Sequence, residues 1–330
     1  PFWQKYLVRI CIAATPRVAV PTLDALFESE HQIISVITRP DAPAGRGRGL
    51  KSSAVSDWAT SKGVELHKPE SNDEISLLVA QCDLVITISF GVLLPETVLN
   101  IPRHGFINLH FSLLPRWRGA APVQRALEAG DSTTGVTVFK LDAGMDTGPI
   151  YTSIPLDISS TTNTPDLLDN LATLGVQAVL DAISLIESGQ NPKAQSSEDA
   201  TRANKLSTEE AQIDWSENSL AIVNKIRAFY PNPGAWSAFR EVKIKIDAAT
   251  INESILKPGE VALQGKAVLV GTGDGAGQGA FGHRRPAPAG GGAGAGQRAG
   301  GDDELVARGE RIDLGVDFGH QIFGGQTARA

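Results

Sequence analysis

Along the first half of the chain, short apolar runs rich in β-branched residues alternate with stretches of helical period. LVRICIAAT (7–15), QIISVITR (32–39), VELHK (64–68), DLVITIS (83–89) and GFINLHF (105–111) read as strands. Helices are predicted over 17–29, 53–62, 73–80, 119–129 and 164–188, the last with Thr164 as its cap and Pro165 at its first helical position. TGVTVFKLD (134–142) and PIYTSIPLD (149–157) add two later strands joined by the loop AGMDTG. Mostly apolar strands separated by helix-length segments indicate a parallel sheet covered on both faces. Residues 1–188 are therefore predicted to form a doubly wound α/β domain with a mostly parallel sheet.

Apolar periodicity stops near GQNPKAQSSEDATRAN (189–204), where small polar residues take over. That is linker composition, and 189–206 is assigned to it. A second domain, 207–275, opens with KLSTEEAQIDW and the helical SLAIVNKIRAFYPNPGAW. It continues with the closely spaced short strands VKIKIDAATI, GEVALQ and AVLVGTGDG, a pattern that suggests a small β-barrel. From 276 to 330 the chain is rich in Gly, Ala and Arg without apolar period, a composition unsuited to burying a core.

A length of 330 residues fits two domains. There is no run of 18 apolar residues and no charged-then-apolar leader, so a cytoplasmic protein with no membrane partner is expected. Cys11 and Cys82 both lie in apolar runs, where a thiol acts as a small core hydrophobe. The formal net charge of −7 argues against wholesale coating of nucleic acid while leaving room for a local basic patch. Arg39, Arg46, Arg48 and Lys51 form such a patch around RPDAPAGRGRGLK, whose glycines would let backbone approach a ligand closely. GRGRG lacks the Gly-Lys-Ser/Thr ending of a phosphate loop, and no histidine has zinc-site spacing, so no metal is expected.

The chemistry concentrates in FINLHFSLLPRWRGAAPVQ (106–124). Asn108 and His110 stand two residues apart on a strand and so project from the same face. In an open α/β sheet, ligands bind beyond the carboxyl ends of the strands, where both residues lie. An amide N–H suits a developing oxyanion, and an imidazole with an ordinary pKa of about 6.5 is a natural proton acceptor. Asp146, on the Gly-flanked loop AGMDTG, is placed to reach His110 and fix its tautomer and charge. Taken singly, Asn, His and a Gly-flanked Asp are more often turn or surface residues. Together they suit acyl transfer onto an amine.

RPDAPAGRGRGL, ISFGVLLP, INLHFSLLPRWRGAAPVQ, GVTVFKLDAGMDTG, KLSTEEAQIDW and RAFYPNPGAW together resemble the methionyl-tRNA formyltransferase family, over about residues 7–275. The resemblance implies a Rossmann-like formyltransferase domain followed by an oligonucleotide-binding-type barrel. It implies transfer of the formyl group of 10-formyltetrahydrofolate to the methionyl amine of initiator Met-tRNA by a monomer. On the matching positions it implies a catalytic set of Asn108, His110 and Asp146. It also implies a folate site including Phe90, Gly91, Ser112, Leu113, Leu114 and Pro115, and tRNA contacts from Arg39, Arg46, Arg48, Lys51 and the barrel.

The chain departs from that pattern in two places. The first strand ends Ala13-Ala14-Thr15-Pro16, where the family has Ala-Gly-Thr-Pro, and the tail lacks the expected final strands, as a change of reading frame would produce. Glycinamide ribonucleotide and UDP-aminosugar formyltransferases share the folate half, and a tRNA-binding relative without activity is a further alternative. KLSTEEAQIDW and RAFYPNPGAW weigh against the first two, and the intact Asn108, His110 and Asp146 against the third.

Overall fold

The computed structural model describes residues 8–44, 49–265, 267–274 and 278–281. The chain divides into two compact units, with the division between Lys205 and Leu206. Of the tail predicted to be atypical, only Gln278–Phe281 falls within the described residues.

The first unit runs β1 (Arg9–Ala14), α1 (Val20–Phe27), β2 (Gln32–Ile37), β3 (Ala42–Ala44), β4 (Gly49–Lys51), α2 (Ala54–Lys62), β5 (Leu66–His67), α3 (Asn72–Val79) and β6 (Leu84–Ile88). It continues with α4 (Glu96–Leu99), β7 (Phe106–His110), β8 (Arg118–Gly119), α5 (Pro122–Ala129), β9 (Thr133–Lys140), β10 (Ile150–Asp157), α6 (Thr164–Glu187) and β11 (Arg202–Ala203). Seven strands form one sheet in the order β10-β9-β7-β6-β1-β2-β5. The pairings from β5 to β7 are parallel, and β9 and β10 add an antiparallel edge. After β1 the chain builds outward to β2 and β5 and then crosses to β6 on the other side. The switch point of the sheet therefore lies between the carboxyl ends of β1 and β6, next to β7.

The apolar runs explain the sheet's depth. Every residue of β6 is buried, as is every residue of β1 after Arg9, because a parallel strand packed on both faces has no solvent side. At the mouth of β1, Arg9 donates to buried Asp83 through its backbone N–H, Nε and Nη2, at 3.0, 3.1 and 3.2 Å. Helix α6 packs along β9, β10 and α1. It is long and apolar enough to cross a membrane by composition, but residues such as Leu167, Leu171, Val179 and Ile183 are buried inside the unit. Its cap is Asn163, whose side chain accepts from Asp166 N at 3.1 Å. Thr164, expected as the cap, is the first helical residue, since the Asn163 side-chain oxygen one residue earlier satisfies an orphan N–H of the first turn.

The second unit contains α7 (Ser219–Phe229), a hairpin of β12 (Trp236–Phe239) and β13 (Val242–Lys245), and four further strands. These are β14 (Thr250–Asn252), β15 (Val261–Gln264), β16 (Ala267–Val270) and β17 (Gln278–Phe281), ordered β14-β17-β16-β15 and all antiparallel. Arg240 and Glu241, both at positive φ, make the two-residue hairpin turn whose twist matches the strands. Asp274, beyond β16, accepts from Ser219 N and Ser219 Oγ at 3.0 and 2.8 Å, anchoring the start of α7. The Thr272 hydroxyl, at 2.7 Å, and then the Ser219 donors hold its carboxyl down at about 2. A carboxyl lowered by folding stabilises fully above its unfolded pKa of about 3.9 and loses that contribution as the pH falls toward its folded value. Asp274→Asn is accordingly expected to lower the thermal midpoint at pH 6. The gap to wild type should narrow at pH 3, and calorimetry at the two pH values checks this; an equal gap at both would contradict it.

Candidate active site

Strand alternation places Phe106, Asn108 and His110 on one face of β7 and Ile107 and Leu109 on the other. Ile107 and Leu109 are buried, which fixes the register and so aims Asn108 and His110. Asn108 sits between Thr87 of β6 and Phe139 of β9. Its Oδ1 accepts from the buried Thr87 hydroxyl at 2.7 Å. With the oxygen engaged, the Nδ2 hydrogens have no hydrogen-bond partner among the described residues.

His110 is buried, and its Nε2 lies 2.9 Å from the Trp117 carbonyl. A carbonyl only accepts, so Nε2 carries the hydrogen and Nδ1 of the neutral ring keeps its lone pair. Nδ1 lies 3.8 Å from Asp146 Oδ2, and Phe139 meets the ring edge-on at 6.3 Å between centroids. Burial pushes the His110 pKa below its ordinary value, while the Asp146 charge and the Trp117 carbonyl pull it upward and are outweighed. The expectation that Asp146 fixes the tautomer is thus corrected: the Trp117 carbonyl does so. Asp146 Oδ2 accepts the Gly119 N–H at 2.7 Å and acts on the ring through its charge.

The turn that delivers the Trp117 carbonyl is tied at many points. Ser112 Oγ donates to Arg116 O at 2.7 Å. Thr137 Oγ1 donates to Ser112 O at 2.7 Å and accepts from Leu114 N at 3.1 Å. Arg116 forks onto Asp131 at 3.0 and 2.6 Å, and Trp117 Nε1 donates to the same carboxylate at 2.7 Å. The Arg116 guanidinium also stacks 4.5 Å from the centre of the Trp117 ring. Trp117 itself has φ +63°, a left-handed conformation that a large side chain adopts only when its surroundings enforce it.

The other predicted site residues divide. Ser112 is fully buried and its hydroxyl is used within the turn, so its side chain shapes the site instead of facing it. Leu114 is buried as well, and Leu113 and Pro115 are half-buried. Phe90 packs into a core cluster with Cys11, Ile37, Ile75 and Leu94, while Gly91 is exposed at φ +71°. Phe90 also lines a cavity of about 420 Å³ with Thr38, Arg39, Pro40, Ser71 and Leu93, beyond the ends of β2 and β6. Arg39 and Lys51 are exposed on either side of the β3–β4 hairpin. Arg46 and Arg48 lie outside the described residues. Thr87, Trp117 and Asp131 were not foreseen from sequence. Only Thr87, a polar residue inside the apolar run DLVITIS, carried a signal.

Asn108 and the buried imidazole of His110 thus stand together at the carboxyl end of β7, beside the switch point of a doubly wound sheet, where an amide N–H and a ring nitrogen are chemically suited to acyl transfer. Residues 8–183 match the family described as formyl transferase, and residues 205–278 match the formyl transferase C-terminal domain. The chain is 41% identical over 274 residues to a methionyl-tRNA formyltransferase of Salinispora tropica, covering 80% of this chain and 88% of that protein. It is 42% identical over 277 residues to one of Corynebacterium diphtheriae, covering 81% and 89%. An N-formyltransferase from Helicobacter canadensis, solved with folinic acid and dTDP-3-aminofucose, shares the fold. Its TM-score is 0.65 at 19% identity, over 83% of this chain and 99% of that one. The chain belongs to the formyl transferase family, and the Salinispora and Corynebacterium relatives, which match about four-fifths of it, are methionyl-tRNA formyltransferases. It is a formyl-transferring enzyme.

The direction of the His110 shift yields a test. A folded pKa below the unfolded one means the unfolded chain binds more protons between the two values, so acidification through that window destabilises the native state. By nuclear magnetic resonance, His110 is expected to titrate below 6.5 in the wild type, and lower still in Asp146→Asn, which removes an upward pull. A wild-type midpoint above 6.5 would show that Asp146 outweighs burial.

Proposed function

We propose that this enzyme transfers the formyl group of 10-formyltetrahydrofolate to the amino group of methionine carried on initiator tRNA, for translation initiation. The observation that carries this reading is the similarity to methionyl-tRNA formyltransferases, which extends past the catalytic unit into the second one. The site's chemistry supports it. Attack of the amine on the formyl carbon moves negative charge onto the formyl oxygen, and the free Asn108 N–H is a donor for that charge. The attacking nitrogen must shed a proton, and His110 Nδ1, neutral at pH 7, accepts it. The new nitrogen–carbon bond forms, the bond to the folate nitrogen breaks, and the proton passes from His110 to that leaving nitrogen. Asp146 stabilises the imidazolium while it carries the proton.

Phe90, Gly91 and Leu113 to Pro115 form the walls proposed for the folate, with Ser112 shaping them from behind. Arg39, Arg46, Arg48 and Lys51, with the second unit, are proposed to hold the tRNA. A cluster of cations on an acidic chain suits phosphate contacts that position the acceptor end. The enzyme is expected to act in the cytoplasm as a monomer, with no step that calls on a metal ion.

The deciding experiment supplies the purified enzyme and formyl donor with charged initiator tRNA, glycinamide ribonucleotide or a nucleotide-linked amino sugar. Formylation of the charged tRNA is expected, and preference for either small amine would reassign the acceptor. In the same assay Asn108→Ala is expected to lower kcat by roughly 10²- to 10³-fold with little change in the donor KM. A loss confined to KM would remove the oxyanion role.

A further inference from the structure

Composition marks 189–206 as a linker, yet its residues are bonded to the catalytic elements on two sides. On one side Lys193 pairs with Ile150 in both directions, at 2.7 and 2.8 Å. On the other, Thr201 accepts from Trp117 N through its hydroxyl at 2.8 Å and from Arg118 N through its carbonyl at 2.9 Å. β11 pairs in parallel with β8, so close that a Cβ on Gly119 would come within 2.8 Å of Ala203 O. Gln195 joins the two sides. Its Nε2 donates to Asp146 O at 2.9 Å and Gly148 O at 2.7 Å, and its Oε1 accepts from Arg118 Nε and Nη2 at 3.1 and 2.7 Å. A guanidinium only donates and carbonyls only accept, so the amide has one satisfiable orientation.

We propose that Gln195 is a positioning residue for formyl transfer, clamping the backbone of the Asp146 loop to Arg118 of the turn so that the carboxylate stays beside His110. The proposal rests on the role given above to Asp146. Asp146 has φ +54°, a left-handed conformation that a non-glycine residue keeps only with support from its surroundings. Its carboxylate is held by the Gly119 N–H and its carbonyl by Gln195, which fixes both ends of the residue. Arg118 and Gly119 are adjacent, so the clamp and the carboxylate contact share one short strand. Displacing a charge that already stands 3.8 Å from Nδ1 weakens its hold on the imidazolium.

Two substitutions separate this role from mere packing. Gln195→Glu keeps an acceptor for Arg118 but sets a carboxylate against two carbonyls; Gln195→Met keeps length and removes both functions. Each is expected to lower kcat roughly 10- to 100-fold with little change in KM for either substrate and an unchanged fold by circular dichroism. Asp146→Asn combined with Gln195→Met is expected to be no slower than Asp146→Asn alone, because both act through one carboxylate. The His110 midpoint in Gln195→Met, read by nuclear magnetic resonance without substrates, is expected to fall below wild type. That readout stands even where the wild type fails to formylate charged tRNA, which would refute the acceptor and not the clamp. Wild-type kcat in Gln195→Glu, additive losses in the double variant, or an unmoved His110 midpoint would each overturn the proposal.

Discussion

The hydrogen bond from His110 Nε2 to the Trp117 carbonyl is the contact on which the site depends. It decides which imidazole nitrogen keeps a lone pair, and therefore which side of the ring can take a proton. To supply that carbonyl the backbone must pass through a left-handed conformation at a tryptophan, at a cost of order 1–3 kcal/mol. The surroundings offset it. Asp131 gathers the Arg116 fork and the Trp117 indole, Thr137 takes up a carbonyl and an N–H of the same turn, and Thr201 accepts the Trp117 N–H. Any one of these exchanges a water contact for a protein contact and contributes about 1 kcal/mol, more where the acceptor is charged.

Burial and charge act on His110 in opposite directions, and the balance suits a base. A fully solvated imidazole beside a carboxylate would be partly protonated near neutrality and unable to accept. Here the ring is closed in by Phe139 and the turn, and Asp146 stands 3.8 Å away with its Oδ2 already occupied by a backbone N–H. Desolvation then prevails and the His110 pKa falls, while a negative charge remains near enough to favour the imidazolium whenever the ring takes a proton. A shorter Asp146–His110 contact would strengthen the second effect at the expense of the first.

The sheet was legible because its signal is periodic. Apolar runs of strand length in β1, β2, β6 and β7 place a parallel sheet, and the i, i+2 spacing of Asn108 and His110 places both on one face. What escaped was held by contacts that leave no period. The strap from Lys193 to Asn204 is small and polar because its work is done by backbone groups, one glutamine and one threonine, and such composition looks like a linker. The tautomer of His110 depends on a carbonyl seven residues away, and carbonyls have no letter in the sequence. Ser112 reads as a ligand-facing polar residue until its burial is seen.

Positive φ at non-glycine residues follows the same distribution. Outside the Arg240–Glu241 hairpin turn, the described examples are Ser89, Trp117, Asp146 and Asp199. Ser89 follows β6 directly, Trp117 and Asp146 bracket His110, and Asp199 lies in the strap that binds the Trp117 turn. A chain selected for stability alone would place glycine at such positions, since glycine adopts these angles without steric penalty. Glycine at Trp117 would release the turn along with the strain, because the indole bond to Asp131 and the stacking of Arg116 would go with the side chain. At position 146 it would remove the only carboxylate within reach of Nδ1 among the described residues. At Trp117 and Asp146 the strain thus falls on residues whose side chains are used where they stand, and the hydrogen bonds of Thr201, Asp131, Gly119 and Gln195 keep both there.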